Sequence, residues 1–248
     1  MKKTLLLVLL IFVLTFTVNA QTFHSIIMVN KEEPNRQVDR TADFNKMSSF
    51  FTQIAQTLGY KNNMHRYSGQ SFKVANALQA IESMNVAAGD IVVFYYSGHG
   101  ANWDRDEYPH MAFLDKRYNE TTLYNLMKEK FPNAKLILCI ADCCNMDSEG
   151  QRREKRTYSG FDAALAKQLF TDFEGHRGYK ISASIRGQYS YSSLQHGALF
   201  GIALREAITE ALTGKTQPSW VYVLERAKNL TLQITDNDQM PQYTMSRW

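Results

Sequence analysis

Two side chains that could act as a nucleophile and its base, His99 and Cys144, each come three residues after a strongly apolar run of the sequence. The runs are residues 91–96 and 135–141. A thiol becomes an effective nucleophile when a neighbouring imidazole removes its proton or lowers its pKa. The pair therefore predicts hydrolysis through a covalent cysteine intermediate, provided that the fold brings the two side chains together.

Both apolar runs predict buried strands of a parallel sheet, because they are rich in β-branched and aromatic residues and are bounded by turn residues. In open α/β sheets, ligands bind at the carboxyl ends of the strands. If the two strands are neighbours, about 5 Å apart, the imidazole and the thiol meet at one edge of the sheet.

The rest of the chain alternates between strand and helix patterns, which predicts βαβ units and a mostly parallel sheet in one domain, residues 21–248. The polar stretch 31–40 contains Pro34 and predicts a loop. In addition to the two runs, we expect strands at 23–30, 61–67, 111–114 and 179–185, and helices at 43–58, 71–89, 121–130, 161–173, 199–212 and from 219 onwards.

The first twenty residues predict a secretory signal peptide. Lys2 and Lys3 form a short basic region, residues 4–18 are almost entirely apolar, and Ala20 suits a cleavage site. The alternative is an uncleaved anchor, for which the apolar stretch is short. We therefore expect a secreted or periplasmic protein with no stable membrane anchor after cleavage.

Charge and cysteine content exclude some classes of protein. Loss of Lys2 and Lys3 with the signal peptide lowers the formal net charge from +4 to +2. This charge is too small to indicate nucleic acid as a partner, and basic patches with interleaved aromatic residues are absent. The three cysteines are an odd number and two of them are adjacent, which favours a reactive thiol over a disulfide framework.

The residues around His99 and Cys144 carry a resemblance to a known family. Residues 95–101 (Tyr-Tyr-Ser-Gly-His-Gly-Ala) and 141–144 (Ala-Asp-Cys-Cys) resemble the two catalytic blocks of the caspase-like (clan CD) cysteine peptidases, most of all those of metacaspases. The order of elements is also similar, including residues 197–200 (Gly-Ala-Leu-Phe) and 239–242 (Gln-Met-Pro-Gln). The resemblance implies the caspase–hemoglobinase fold, an α/β/α sandwich with a mostly parallel central sheet.

The resemblance also implies residue roles. It makes His99 the catalytic base and Cys144 the nucleophile, with Cys143 as a structural neighbour and Cys139 as a core residue. Gly100 can bring its backbone N–H close to a substrate carbonyl because it has no side chain, so we expect its N–H and that of Cys144 to stabilise the oxyanion.

The acid two residues before the nucleophile bears on substrate specificity. A carboxylate at Asp142 that faces the first substrate pocket would attract Arg or Lys and repel Asp. In metacaspases, the residues that match Asp142, Ser97 and Asp43 line that pocket. Asp142 could instead cap a helix, and Asp43 lies where the N-terminus of a helix would favour any acid.

The chain departs from the metacaspase pattern in one place, since Asn145-Met146-Asp147 follows the nucleophile where His-Ser-Gly is usual. The hydrolysis itself requires no cofactor. Several metacaspases need calcium, and the candidate ligands are Asp104, Asp106, Asp115 and Asp147, although their spacing lacks the specificity of an EF-hand loop.

A basic run at residues 152–156 is either a solvated surface loop or, if the pocket takes basic residues, a self-cleavage site at Lys155 and Arg156.

The sequence thus predicts an exported cysteine endopeptidase that acts on proteins or peptides with Arg or Lys at the cleaved position. Three alternatives remain. The protein could be a catalytically silent caspase-like binding protein, or a clan CD peptidase of other specificity. It could also hold a metal through His99, Cys143 and Cys144, although adjacent cysteines are poor tetrahedral ligands.

Overall fold

The computed structural model describes residues 20–31, 37–103, 105–145, 160–171, 175, 177–193 and 196–247, without the side chains of residues 37–39. The strands are β1 (Thr22–Val29), β2 (Lys61–Tyr67), β3 (Ile91–Ser97), β4 (Gly100–Ala101), β5 (His110–Ala112), β6 (Arg117–Asn119), β7 (Leu136–Asp142), β8 (Gly178–Ser182), β9 (Ser192–Ser193), β10 (Gly197–Ala198) and β11 (Gln242–Ser246). The helices are α1 (Gln37–Leu58), α2 (Val74–Ser83), α3 (Glu120–Lys130), α4 (Ala163–Thr171), α5 (Leu199–Leu212) and α6 (Trp220–Ile234), with a 3-10 turn at Gly69–Ser71.

Six strands form the central sheet in the order β11-β8-β7-β3-β1-β2. Five of them are parallel, and β11 at the edge runs antiparallel to β8. Two small sheets stand apart, one of β9 and β10 and one of β4, β5 and β6. The mostly parallel sheet expected from the sequence is confirmed.

Alternate residues of each central strand enter two separate hydrophobic cores. In β3, Val93 and Tyr95 pack into the core beneath α1, α4, α5 and α6, whereas Val92 and Phe94 pack into the core beneath α2 and α3. A strand covered on both faces must be apolar along its whole length, which explains the continuous apolar runs. Helices therefore cover both faces of the sheet, and the predicted α/β/α sandwich is confirmed.

The two strands that precede His99 and Cys144 are direct neighbours. β3 and β7 pair in parallel from Ile91 opposite Leu136 to Ser97 opposite Asp142. His99 and Cys144 each follow by two residues, so both leave the sheet at the same edge.

Helix α1 begins earlier than predicted. It starts at Gln37, within the stretch predicted as a loop, and its polar residues Arg40 and Asp43 are buried. Apolar spacing reveals a helix only where the buried face is apolar, and here that face becomes apolar at Phe44. Strand β11 was also not predicted, because it is short and its residues are half-buried or exposed.

Several predicted features fall outside the described residues. These are the signal peptide apart from Ala20, the basic run with Lys155 and Arg156, and two of the four calcium candidates, Asp104 and Asp147. Within the described ranges, no helix combines the length and apolar character that a bilayer crossing requires.

Candidate active site

His99 and Cys144 line the same cleft at the carboxyl ends of β3 and β7. The cleft encloses about 380 Å³, including space open to solvent. Its other walls come from Arg40, Asp142 and residues 190–192. The structure thus brings together the two predicted catalytic side chains and one of the predicted pocket acids.

Gly100 marks the point where the two loops touch. A Cβ atom at this position would collide with the Cys143 sulfur and the Cys144 carbonyl oxygen. Only glycine permits so close an approach of one backbone to another. The loop that carries His99 is therefore in contact with the loop that carries Cys144, directly beside both side chains.

The backbone of His99 is held from the opposite side. Its carbonyl oxygen accepts hydrogen bonds from the Tyr96 hydroxyl at 2.6 Å and from the Ala112 N–H at 2.9 Å. Strand β4, which begins at Gly100, pairs with β5 and extends this support. The half-buried His99 ring therefore projects from a loop whose path is fixed on two sides.

Cys143 and Cys144 both line the cleft, but of the three cysteines only Cys144 is partly exposed. Its sulfur accepts a hydrogen bond from the Ser190 N–H at 3.4 Å and lies 3.6 Å from the Ser190 carbonyl oxygen. Cys139 and Cys143 are buried, and burial raises the pKa of both thiols well above the ordinary value. None of the three cysteines is in a disulfide bond in this structure.

The three predicted pocket residues form one hydrogen-bonded group. The Ser97 hydroxyl donates to Asp43 Oδ2 at 2.7 Å, and both residues are fully buried. Asp142 accepts hydrogen bonds from the Tyr95 hydroxyl and from the Ser190 hydroxyl, each at 3.3 Å. Of the three, only Asp142 lines the cleft, and Ser97 and Asp43 lie behind it.

Both carboxylates also receive backbone N–H groups at the start of α5. The Ala198 N–H donates to Asp43 Oδ1 at 2.9 Å, and the Gly201 N–H donates to Asp142 Oδ2 at 2.8 Å. Asp142 therefore lines the cleft and also accepts a backbone N–H at the N-terminus of α5, as the helix-capping alternative predicts. The expectation that Asp43 lies at the N-terminus of its own helix is wrong, because it is the seventh residue of α1.

The environment of the acids disfavours their ionised forms. Burial raises the pKa of Asp142 to about 7, and the neighbouring Asp43 carboxylate acts in the same direction. Burial also raises the pKa of Asp43, against the opposing effect of Arg40. Two carboxylates close together in a dry site cannot both ionise freely.

Arg40 is the site residue that the sequence reasoning missed. It is almost fully buried, its Nη1 donates to Ser97 Oγ at 2.9 Å, and it lies 4.0 Å from Asp43 Oδ2. The predicted acidic pocket thus also contains a positive charge. The spacing of Arg40 and Asp43, three residues apart on one helix face, would have linked them had α1 been predicted to start earlier.

The described calcium candidates are engaged elsewhere. Asp106 Oδ2 lies within hydrogen-bonding distance of His110 Nε2 at 2.8 Å, and Asp115 accepts the Val74 N–H at the start of α2 at 2.8 Å. Among the residues that the structure describes, no three His, Cys, Asp or Glu side chains are grouped so that they could hold a metal ion.

Comparison with known proteins places these features in a family. Residues 25–247 match the family model of the caspase domain. The fold is similar to that of caspase-1 from Spodoptera frugiperda, with 14% identity over 92% of this chain and 90% of that chain and a TM-score of 0.59. It is also similar to a protein from Geobacter sulfurreducens, with 13% identity over 92% of this chain and 94% of that chain and a TM-score of 0.53. No curated protein matches the sequence.

Proposed function

The chain belongs to the caspase domain family, and on this premise we propose that it is a cysteine endopeptidase with Cys144 as nucleophile and His99 as general base and acid. One observation carries the proposal: both side chains line one cleft, at the ends of paired strands whose loops touch at Gly100. The half-buried state of Cys144, beside two buried cysteines, also fits a reactive thiol.

The reaction follows from these groups. His99 takes the proton of the Cys144 thiol, the sulfur attacks the scissile carbonyl carbon, and the backbone N–H groups of Gly100 and Cys144 stabilise the oxyanion. His99 then gives the proton to the leaving amine as the C–N bond breaks. Water, activated by His99, hydrolyses the thioester and regenerates the thiol. No step of the hydrolysis itself requires a cofactor.

For the cleaved position we propose Arg or Lys, as in the metacaspases that the motifs resemble. Asp142 is the carboxylate that lines the cleft, and an incoming cation would favour its ionised form. Arg40 opposes this preference. Arg40 lines the cleft as well, but its Nη1 is paired with Ser97 and Asp43, so Asp142 is the acid that a substrate cation would meet.

The test is a panel of peptides with Arg, Lys, Asn or Asp at the cleaved position. We expect hydrolysis after Arg and Lys, and a loss on the order of 10³-fold or more in Cys144→Ala and His99→Ala. Cys139→Ala is the matched control, because it removes a buried thiol outside the cleft and should retain activity. A preference for Asp would refute the role of Asp142.

A peptide ketone that carries Arg separates an enzyme from a silent binding protein. We expect it to label Cys144, as located by mass spectrometry, and to leave the buried Cys139 and Cys143 unmodified. A protein that hydrolyses no peptide of the panel and is not labelled would be a binding protein.

We also propose that the protein is secreted or periplasmic after cleavage following Ala20. The first strand begins at Thr22, so the fold starts immediately after the proposed cleavage site. N-terminal sequencing of the exported protein should begin at Gln21, and an intact Met1 would refute cleavage.

A further inference from the structure

Ser190 connects the proposed nucleophile with the acid of the cleft. Its backbone N–H donates to Cys144 Sγ at 3.4 Å, and its hydroxyl donates to Asp142 Oδ1 at 3.3 Å. Ser190 belongs to a loop after β8 and not to a strand of the central sheet. Some other group must therefore fix its position.

That group is Gln239, which lies between α6 and β11. Its Oε1 accepts the Tyr191 N–H at 2.9 Å, and its Nε2 donates to the Ala183 carbonyl oxygen at 3.0 Å and lies 3.4 Å from Ser190 Oγ. The Ala183 N–H in turn donates to the carbonyl oxygen of Ala141 on β7 at 3.0 Å. Gln239 thus ties the Ser190 loop to the strand that leads to Cys144.

The Gln239 side chain has little freedom to move. It is fully buried, and its own N–H donates to Thr235 Oγ1 at 3.2 Å. A buried amide that lost these partners would incur the desolvation cost of unsatisfied polar groups. The contacts therefore stabilise one position of residues 190 and 191.

We infer that Gln239 is a positioning residue, which favours the thiolate of Cys144 by holding the Ser190 N–H on the sulfur. The inference rests on the proposed role of Cys144 and adds a residue that touches neither the sulfur nor the cleft. The Ser190 carbonyl oxygen, 3.6 Å from the sulfur, favours the thiol. The contact from the Ser190 N–H is the shorter of the two, and in the thiolate form it becomes a hydrogen bond to an anion. Hydrogen bonds to charged groups are about twice as strong as neutral ones, so the two contacts together stabilise the thiolate more than the thiol.

The experiment measures the rate at which iodoacetamide alkylates Cys144 as a function of pH, with peptide-resolved mass spectrometry. Gln239→Met keeps the volume of the side chain but cannot accept the Tyr191 N–H. We expect its alkylation midpoint to rise by about one pH unit, a roughly tenfold loss of thiolate at a given pH below the midpoint. Gln239→Asn has a side chain one methylene shorter, and its alkylation midpoint is expected to rise less than that of Gln239→Met.

Two further variants separate positioning from general damage. Gln242→Ala is the matched control, because the Gln242 Nε2 donates to the Glu107 carbonyl oxygen, outside the cleft. This variant should keep the wild-type midpoint. Ser190→Ala keeps the backbone N–H and the Tyr191 contact of Gln239, and it loses the hydroxyl that contacts Asp142 and Gln239 Nε2. It should raise KM for peptides with Arg at the cleaved position and leave the midpoint unchanged.

A wild-type midpoint in whichever Gln239 variant folds would overturn the inference. An equal shift in Gln242→Ala would also overturn it, because the effect would then not come from the N–H that Gln239 holds in place. Alkylation needs no peptide hydrolysis, so a protein inactive on every peptide would refute the proposed function without deciding this inference.

Discussion

Ser97 and Asp142 lie directly opposite each other at the carboxyl ends of β3 and β7. This register sets the geometry of the whole cleft, since each residue is followed two positions later by a proposed catalytic side chain. A shift of one residue between the strands would turn Asp142 to the other face of the sheet. The proposed specificity pocket and the proposed catalytic pair are therefore positioned by the same strand pairing.

The first prediction concerns the pH dependence of selectivity. Burial raises the pKa of Asp142 to about 7, so the carboxyl group is protonated below that pH and ionised above it. We expect kcat/KM for a peptide with Arg at the cleaved position to rise through neutral pH relative to a peptide with Asn there. Since both peptides share the ionisation of Cys144 and His99, the ratio isolates Asp142.

In Asp142→Asn the pH-dependent ratio should disappear. The preference for Arg should also fall at least about tenfold, because the substrate cation would lose the carboxylate that lines the cleft. Steady-state kinetics on both peptides across neutral pH measure both effects. A ratio that stays constant with pH in the wild type would show that Asp142 does not pair with the substrate.

The second prediction concerns Arg40. Its charge lies 4.0 Å from Asp43 and opposes a basic residue in the pocket. Arg40→Gln can still donate to Ser97, and we expect it to raise kcat/KM for Arg peptides over Asn peptides by roughly tenfold, as removal of one nearby unit charge implies. The two proteins should be compared well above neutral pH, where Asp142 is ionised in both. Arg40 lowers the pKa of Asp142, so at neutral pH the variant would also change the protonation of this acid.

Arg66→Gln is the control for Arg40, because it removes an exposed arginine that packs over the Phe44 ring outside the cleft. Its selectivity should equal that of the wild type. Equal ratios in Arg40→Gln and the wild type would mean that the charge of Arg40 is fully neutralised by Asp43.

The third prediction concerns Gly197, which has a φ of +92° and approaches the Asp43 carboxylate so closely that a Cβ would collide with it. Gly187 has a φ of +84° but no atom within 4 Å of such a Cβ. Gly187→Ala should therefore cost only the backbone strain, about 1–2 kcal/mol. Gly197→Ala should lower the unfolding free energy by more than Gly187→Ala, because its Cβ also collides with Asp43. Since Asp43 is one of the predicted pocket residues, the preference for Arg peptides should also weaken.

Urea unfolding of the two glycine variants provides the measurement. Both glycines have a positive φ, but only Gly197 has Asp43 next to the position of an added Cβ. The difference between the two losses of unfolding free energy therefore reports the contact with Asp43. Equal losses would show that β10 moves away from α1 without consequence.

The fourth prediction concerns self-cleavage after Lys155 or Arg156. If the pocket takes basic residues, the purified wild-type protein should be cut within residues 152–156 and the Cys144→Ala protein should stay intact. Mass spectrometry of both preparations locates the termini. A cut that persists in Cys144→Ala would come from another protease.

The sequence alone predicted five of the six central strands and the meeting of His99 with Cys144 at one edge of the sheet. This was achievable because β3 and β7 are apolar along their whole length, a pattern that few other structures produce. Glycines and polar residues directly after the strands then located the cleft. The catalytic roles of His99 and Cys144 remain proposals that the variants above test.

Arg40, Ser190 and Gln239 could not be predicted in the same way. Each takes its place through hydrogen bonds to residues distant in the chain, and no periodicity records such contacts. Gln239 drew attention only through the family resemblance of its segment. Arg40 escaped because the buried face of α1 is polar in its first turns.

The position of Gln239 late in the chain has a consequence for biosynthesis. Cys144 and His99 leave the ribosome long before residues 239–246. This late segment supplies both the Gln239 hydrogen bond to the Ser190 loop and strand β11 of the central sheet. A nascent chain thus carries its thiol and imidazole without the segment that tunes them. If Gln239 positions Cys144 as proposed, synthesis order delays full reactivity of the thiol until the polypeptide is nearly finished.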